Sequence, residues 1–311
     1  MTDLTNPIYN DEEAARQHFE ALRWPDGPIC PHCYSLDNAT ELKGNSTRPG
    51  VYKCKACRKP FTATIGTVYE RSHIPLHKWL LATHLMCSSK KGMSAHQLWR
   101  MLGFGSYRTA WFMAHRIREG MREARVLGSM GGPGKIVEAD ETYVGGKAAN
   151  RAYGETPKKE AVMSLVERGG RAASYHVADV SAATLRSILV TAVSQKSTLD
   201  TDESRTYGAF GWRFAGHETV NHSIKEYVRD SVHTNSAEGF FSILKRGIYG
   251  TYHHVSEAHL KRYLCEFDFR YNHRIKLGYD DTTRTALAVK GIGGKRLTYR
   301  GPHNQSPEFR A

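Results

Sequence analysis

Residues 136–147 read IVEADETYVGGK. Ile136, Val137 and Ala139 form an apolar run of strand character, and Gly145-Gly146 before Lys147 marks a turn. The pattern carries Asp140 out of the strand toward solvent. A carboxylate is costly to bury alone and useful where it can meet a cation, so Asp140 reads as the first of three metal-holding acids. The other two must come from elements that fold against this strand.

Downstream the pattern is that of an α/β domain. A polar, basic insertion, KAANRAYGETPKKE, leads to AVMSLVER and RAASYHVADV, which flank Gly169-Gly170 as the two strands of a hairpin. Ser181 caps a helix whose apolar face is Leu185, Ile188, Leu189 and Ala192. STLDTDES reads as a strand ending in acids, TYGAFGWRF is an aromatic stretch, and HETVNHS has the composition of a further strand. A helix from about Asn235 to Arg246 and another capped by Ser256 finish the domain, the second turning Leu260, Tyr263, Leu264, Phe267 and Tyr271 inward. Strand, hairpin, crossover helix, strand and closing helices is the element order of an RNase H-like domain.

In that order the strand of Asp140 lies beside the strand of Asp202, and the two carboxylates converge. Phosphodiester chemistry of this kind uses two divalent ions about 4 Å apart. Magnesium asks for carboxylate oxygens and keeps several waters, so two Asp and one Glu suffice. The third acid is Glu238, at the start of the helix in HTNSAEGFFSILKRG. Lys245 lies two turns beyond Glu238 on the same face, where it and Arg246 can meet a DNA phosphate. Asn235-Ser-Ala-Glu238 also fits a capping box, which would occupy the glutamate. Asp200 and Glu203 compete with Asp202, and strand alternation puts Asp200 on its face. Glu138 shares the face of Asp140 but lies deeper, where a salt bridge is the expected role; Glu141 points the other way. A second zinc site among His233, His253, His254 and His259 lacks helical ligand spacing.

Upstream, Cys30-Pro-His-Cys33 and Cys54-Lys-Ala-Cys57 form two CxxC knuckles in a window rich in Gly, Asn, Ser and Thr. Four thiolates at this separation close a tetrahedral, structural zinc site whose metal supplies folding energy that so small a core lacks. Lys43, Arg48, Lys53, Lys55, Arg58 and Lys59 surround it as possible phosphate contacts. From Leu76 the period becomes helical, with Ser94 and Ser106 as caps and Gly103 as a stop. Three helices in this arrangement fit a helix-turn-helix whose third member would offer Arg108, Arg116 and Arg118 to a groove. Gly128 to Lys135, GSMGGPGK, reads as a linker.

The whole, 311 residues with 40% apolar content and a net charge of +13, fits a multidomain protein with a polyanionic partner. No apolar run reaches membrane-spanning length and the acidic start has no signal-peptide pattern, so a cytoplasmic protein with no membrane partner is expected. The expected fold class is α+β multidomain: N-terminal helix and zinc ribbon over 1–68, a small helical DNA-binding region over 69–130, the catalytic domain over 131–285, and a basic tail over 286–311.

VEADETYVGGK, TLDTDESRTYGAF and HTNSAEGFFSILKRGIYGTYHHVSEAHLKRYLCEFDFRYNHR, behind a four-cysteine ribbon, resemble the DDE-type insertion-sequence transposases of prokaryotes that carry an N-terminal zinc ribbon. The resemblance runs from about residue 12 to 285, and the YLxEFxFRYNxR ending is its most specific part. It implies an enzyme that cuts the inverted ends of its own element, joins the 3′-hydroxyls to target DNA, needs Mg2+ or Mn2+, and works as a homo-oligomer on DNA. Asp140 and Asp202 match the first two catalytic positions; Glu238 or Asn235 supplies the third. Two other functions use parts of the same sequence: a catalytically silent zinc-ribbon regulator, and an RNase H-like nuclease acting on hybrids.

Overall fold

The computed structural model describes residues 3–124, 128, 130–145, 159–220, 228–229 and 232–298. Nearly all of the basic insertion and the end of the tail lie outside these. The chain forms two compact units: Met1–Ser88 with Ala95–Met121 and Asp281–Ala311, and Ser89–Ser94 with Arg122–Asp280.

In the first unit α1 (Glu12–Arg23) starts at Asp11, whose side chain accepts from the Ala14 amide at 2.7 Å. Three short antiparallel strands follow, β1 (Ala39–Glu41), β2 (Tyr52–Cys54) and β3 (Pro60–Phe61). Their apolar content is little more than Trp24, Tyr52 and Phe61, packed with ring centroids 5.5–5.8 Å apart. Helices α2 (Leu76–Ser88), α3 (Ala95–Leu102) and α4 (Tyr107–Met121) come next, and Gly103 ends α3 at φ +62°. Glu12 caps α2 by accepting from the Leu76 and His77 amides at 2.8 and 3.1 Å.

The sequence places a domain boundary at 285/286 and a loose arm beyond it. Residue 285 instead lies inside a helix of this unit, Asp281–Lys290. Thr285 hydrogen-bonds His84 at 2.9 Å, Arg284 donates to the Cys87 carbonyl at 3.0 Å, and Ala288, Val289 and Ile292 are buried. Three glycines, Gly291, Gly293 and Gly294, hid a short apolar stretch of Ala288, Val289 and Ile292 that finds its partner only in three dimensions.

The second unit is a five-stranded sheet between helices. Its strands are β4 (Ile136–Val144), β5 (Glu160–Glu167), β6 (Ala172–Val177), β7 (Thr198–Asp202) and β8 (Gly216–Val220), in the order β6-β5-β4-β7-β8. The first three are antiparallel; β7 runs parallel to β4, and β8 to β7. This is the RNase H-like arrangement. Gly169, at φ +73°, makes the β5–β6 turn. Helix α5 (Ala182–Ala192) and the short α6 (Arg205–Gly208) cover one face, where Val137, Ala139, Met163 and Leu165 meet Leu185, Leu189 and Phe210. Helices α7 (Asn235–Gly247) and α8 (Glu257–Asn272) cover the other, where Val144, Val162 and Val166 meet Phe240, Leu244, Leu264 and Phe267. Burial on both sides explains why β5 is apolar from Ala161 to Val166 except at Ser164.

The residues read as a linker do not hang free. Met130 is buried in the sheet core, and its backbone pairs with Ala192 and Ser194 at 3.1 and 2.9 Å. Gly131 lets the chain pass Ser197 so closely that an added Cβ would lie 2.1 Å from its Oγ. The YLxEFxFRYNxR segment is likewise architectural. Asn272 accepts from the Ala172 amide and donates to its carbonyl at 2.7 and 3.0 Å, and Asp268 accepts from the Ser174 amide at 2.8 Å. Together they tie α8 to edge strand β6 and satisfy its outer backbone groups.

Candidate active site and zinc centre

Cys30, Cys33, Cys54 and Cys57 place their sulfurs within 4.8 Å of one another, with Cys30–Cys57 and Cys33–Cys54 at 3.6 Å. A tetrahedron with metal–sulfur bonds of about 2.3 Å has edges of about 3.8 Å, so the four thiols fit zinc. Tyr34 and Arg58, each directly after a second cysteine, take φ of +56° and +60° and turn the two knuckles alike. The Cys57 amide, aimed at the Cys54 sulfur, pulls that thiol down to about 7, toward the thiolate a metal needs.

The ladder between β4 and β7 pairs Val137 with Leu199 and Glu138 with Asp200. Two residues further on each strand, just past the end of the ladder, stand Asp140 and Asp202, on the face toward α7. β4 continues to Val144, so Asp140 is mid-strand and not at a strand end as the sequence suggested; what ends before it is the pairing with β7. Both aspartates are half-buried. Asp140 accepts from the Glu141 amide at 2.7 Å and Asp202 from the Ser204 amide at 3.0 Å.

The capping box is absent. Asn235 is inside α7, and Thr234, at the cap position, makes no side-chain cap bond. The cap comes from the sheet: the Glu138 carboxylate accepts from the Ser236 and Ala237 amides at 2.7 and 3.0 Å and from Ser236 Oγ at 2.9 Å. Glu238 is thereby left exposed on the first turn. Ala237, Phe240, Phe241 and Leu244 are buried and define the inner face of the helix. At about 100° per residue, Glu238 and Lys245 lie on one flank, roughly 90–110° from the centre of that face, while Asn235 and Arg246 point nearly away from it.

Residues 131–272 match the ISXO2-like transposase domain, and residues 10–60 match the transposase zinc-ribbon domain. Together the two matches, a transposase domain behind a transposase zinc ribbon, are those of a transposase. It is similar, at 28% identity over 279 residues, to an uncharacterized protein in transposable element ISH50 of Halobacterium salinarum, covering 83% of this chain and 90% of that protein. A chain in the cryo-electron-microscopy structure of a simian T-cell lymphotropic virus intasome in complex with a PP2A regulatory subunit is matched at 13% identity. That match covers 56% of this chain and 63% of the other, under two thirds, with a TM-score of 0.29, too remote to bear on fold or function.

In this transposase Glu141, on the α5 side of β4, adds a third acid near the aspartate pair. Burial pushes its carboxyl up to about 7, opposed by the hydrogen bond from the Tyr207 hydroxyl and reinforced by the charges of Asp140 and Asp202. Tyr207 is itself held well above its ordinary value by burial and then by Glu141. Neither role was legible from the sequence, where Glu141 was set aside for facing the other way and Tyr207 read only as aromatic filling.

Two of the three arginines expected to face DNA from α4 are interior. Arg116 lies over the Trp79 and Phe112 rings at 5.0 and 5.7 Å and donates to the Glu70 carbonyl at 2.6 Å; Arg118 is 1% exposed. Both side chains lie inside the helical unit, which an apolar-face count on α4 does not reveal. Arg108, in the first turn, is exposed, as are Arg246 and the ribbon cations Lys43, Arg48, Lys53, Lys55, Arg58 and Lys59. Among the described residues, no helix is long and apolar enough to cross a membrane. One further group, Glu160, His176 and Glu257, has donor atoms within 4.8 Å; His176 Nε2 and the Glu160 carboxylate share a hydrogen bond of 2.9 Å.

Proposed function

We propose that this transposase cuts the ends of its own insertion element and joins the freed 3′-hydroxyls to target DNA. The observation that supports this reading is that Asp140 and Asp202 each follow by two residues the Glu138–Asp200 pair of two adjacent parallel strands, on the face covered by the helix that bears Glu238. Asp140, Asp202 and Glu238 are the residues that would hold Mg2+ or Mn2+, since three carboxylates give hard oxygen donors and leave room for water. When bound, a pair of such ions activates water and stabilises a leaving oxygen. Glu238 is preferred to Asn235 because it lies on the flank it shares with Lys245, whereas Asn235 points away from the sheet. Lys245 would hold a DNA phosphate beside the carboxylates and Arg246 a phosphate further out. The zinc ribbon and Arg108 would grip the terminal sequence. Since joining needs two ends in one complex, the working form is a dimer or larger assembly on DNA, acting in the cytoplasm.

The test is cleavage of labelled DNA carrying the element's own ends, with Mg2+, by the wild type, Asp140→Asn, Glu238→Gln and Asn235→Ala. Cutting is lost in the first two variants and kept in the third. Full cutting by Glu238→Gln refutes the assignment, and loss confined to Asn235→Ala moves the third position.

A further inference from the structure

Each of the three proposed metal-holding carboxylates stands one short step along the chain from a group locked into a single buried cluster. Glu138 precedes Asp140 by two residues on β4, and Asp200 precedes Asp202 by two on β7. Two residues before Glu238 comes Ser236, whose amide, hydroxyl and neighbouring Ala237 amide all donate to Glu138. Arg168, at the end of β5, joins the parts: its Nε donates to Glu138 at 3.0 Å, and its Nη2 donates to Asp200 at 2.9 Å and to the His233 carbonyl at 3.0 Å.

The charges explain why the cluster is tight. The Glu138 and Asp200 side chains are 0% and 2% exposed, so two carboxylates are desolvated beside one guanidinium that is 24% exposed. The second negative charge is met by the N-terminus of α7, equivalent to about half a positive charge, with the His233 ring 3.3 Å from Glu138. Removing the guanidinium leaves two buried carboxylates without their counterpart. The cluster therefore has one low-energy geometry, and it fixes β4, β7 and the first turn of α7 against one another.

We infer that Arg168, with Glu138, Asp200 and Ser236, is the positioning unit that sets the spacing of Asp140, Asp202 and Glu238. The inference rests on the proposed metal-holding role of those three. Two residues of strand span about 6.6 Å, so a shift in the cluster passes almost undiminished to the carboxylate beyond it. Magnesium and manganese sites tolerate errors of only about 0.2 Å in ligand distance. The guanidinium is needed for its fork: a lysine keeps the charge but not the simultaneous reach to Glu138, Asp200 and the His233 carbonyl.

The experiment is titration of the full-length, zinc-loaded protein with Mn2+ alone, reading free Mn2+ by electron paramagnetic resonance. The set is wild type, Asp140→Asn, Glu238→Gln, Arg168→Lys and Ser236→Ala. Zinc content, thermal unfolding and divalent-free binding to element-end DNA are measured on the same samples, and Asp140→Asn sets the background from other sites. The expected result is Mn2+ affinity down by about tenfold in Arg168→Lys and by a smaller factor in Ser236→Ala, with zinc content and DNA binding unchanged. Ser236→Ala loses one hydroxyl and keeps both capping amides, so it reports even where Arg168→Lys fails to fold. Unchanged Mn2+ affinity in the folded variants, with loss in Asp140→Asn and Glu238→Gln, overturns the inference and leaves the metal site standing. Unchanged affinity in those last two overturns both.

Discussion

Replacing Glu141 by glutamine makes the transposase more stable above neutral pH and leaves it unchanged in acid. In the folded protein the Glu141 carboxyl keeps its proton up to about 7, against an ordinary value of 4.5. Between those values the folded state holds a proton that the unfolded chain has released, so stability is highest below 4.5 and falls as pH rises to 7. The interval corresponds to about 3 kcal/mol at 1.36 kcal/mol per pH unit, and partial exposure of the group lowers this to about 2 kcal/mol. Glutamine has no proton to lose, and its carbonyl can still accept from Tyr207. Thermal unfolding of the zinc-loaded protein without other divalent ions, from pH 5 to pH 8.5, therefore gives overlapping midpoints at the acid end. At the alkaline end Glu141→Gln melts about 5 °C higher. On the proposed metal-holding role of Asp140 and Asp202, added Mg2+ narrows the gap by neutralising them. Parallel curves across the whole range, or a variant less stable at pH 8.5, would refute the placement of Glu141 beside the aspartate pair.

Further substitutions and one treatment separate the remaining elements. Removing zinc with a strong chelator releases one ion per chain and exposes residues 30–61 to protease, because the aromatic trio beneath the ribbon cannot replace roughly 10 kcal/mol of metal binding; a protease pattern unaltered by chelation contradicts the four-cysteine centre. Arg108→Ala lowers the salt dependence of DNA binding by about one and leaves the melting temperature alone. Arg116→Ala does the reverse, costing about 2 kcal/mol with the loss of its ring and carbonyl contacts; equal effects on both readouts in the two variants would contradict their assigned environments. Asn272→Ala strands the buried amide and carbonyl of Ala172 and costs about 2–4 kcal/mol in a denaturant melt; no loss would show that the β6 edge is satisfied some other way.

Much of the fold was legible in order and type. Gly169-Gly170 between two β-rich runs marked a hairpin, Ser181 a helix start, and the four cysteines a ribbon, because each is a local rule with little competition from tertiary context. Reading failed where a residue's role is set by what lies across from it. Asn235 and Glu238 have capping-box spacing, yet a glutamate nearly a hundred positions away reaches the amides first. Arg116 and Arg118 sit on a helix that looks basic, yet the surrounding helices bury both. Gly131 and Met130 look like linker and belong to the sheet core. The last helix was missed because a short apolar turn beside glycines carries no sign of the surface it packs on.

By itself the sequence determined the zinc centre, the succession of strands and helices in the sheet domain, and which aspartates could meet. These depend on spacing and on alternation along single strands, which the chain carries locally. Only the tertiary structure decided which acids near those aspartates are structural. Glu138 and Asp200 share the face of Asp140 and Asp202, and two residues of depth separate an acid held by Arg168 and a helix end from one that is half-buried and oriented by its neighbouring amide. Burial is a property of packed elements and not of a strand, and burial decides whether a carboxylate must be neutralised from within or can take a cation from outside.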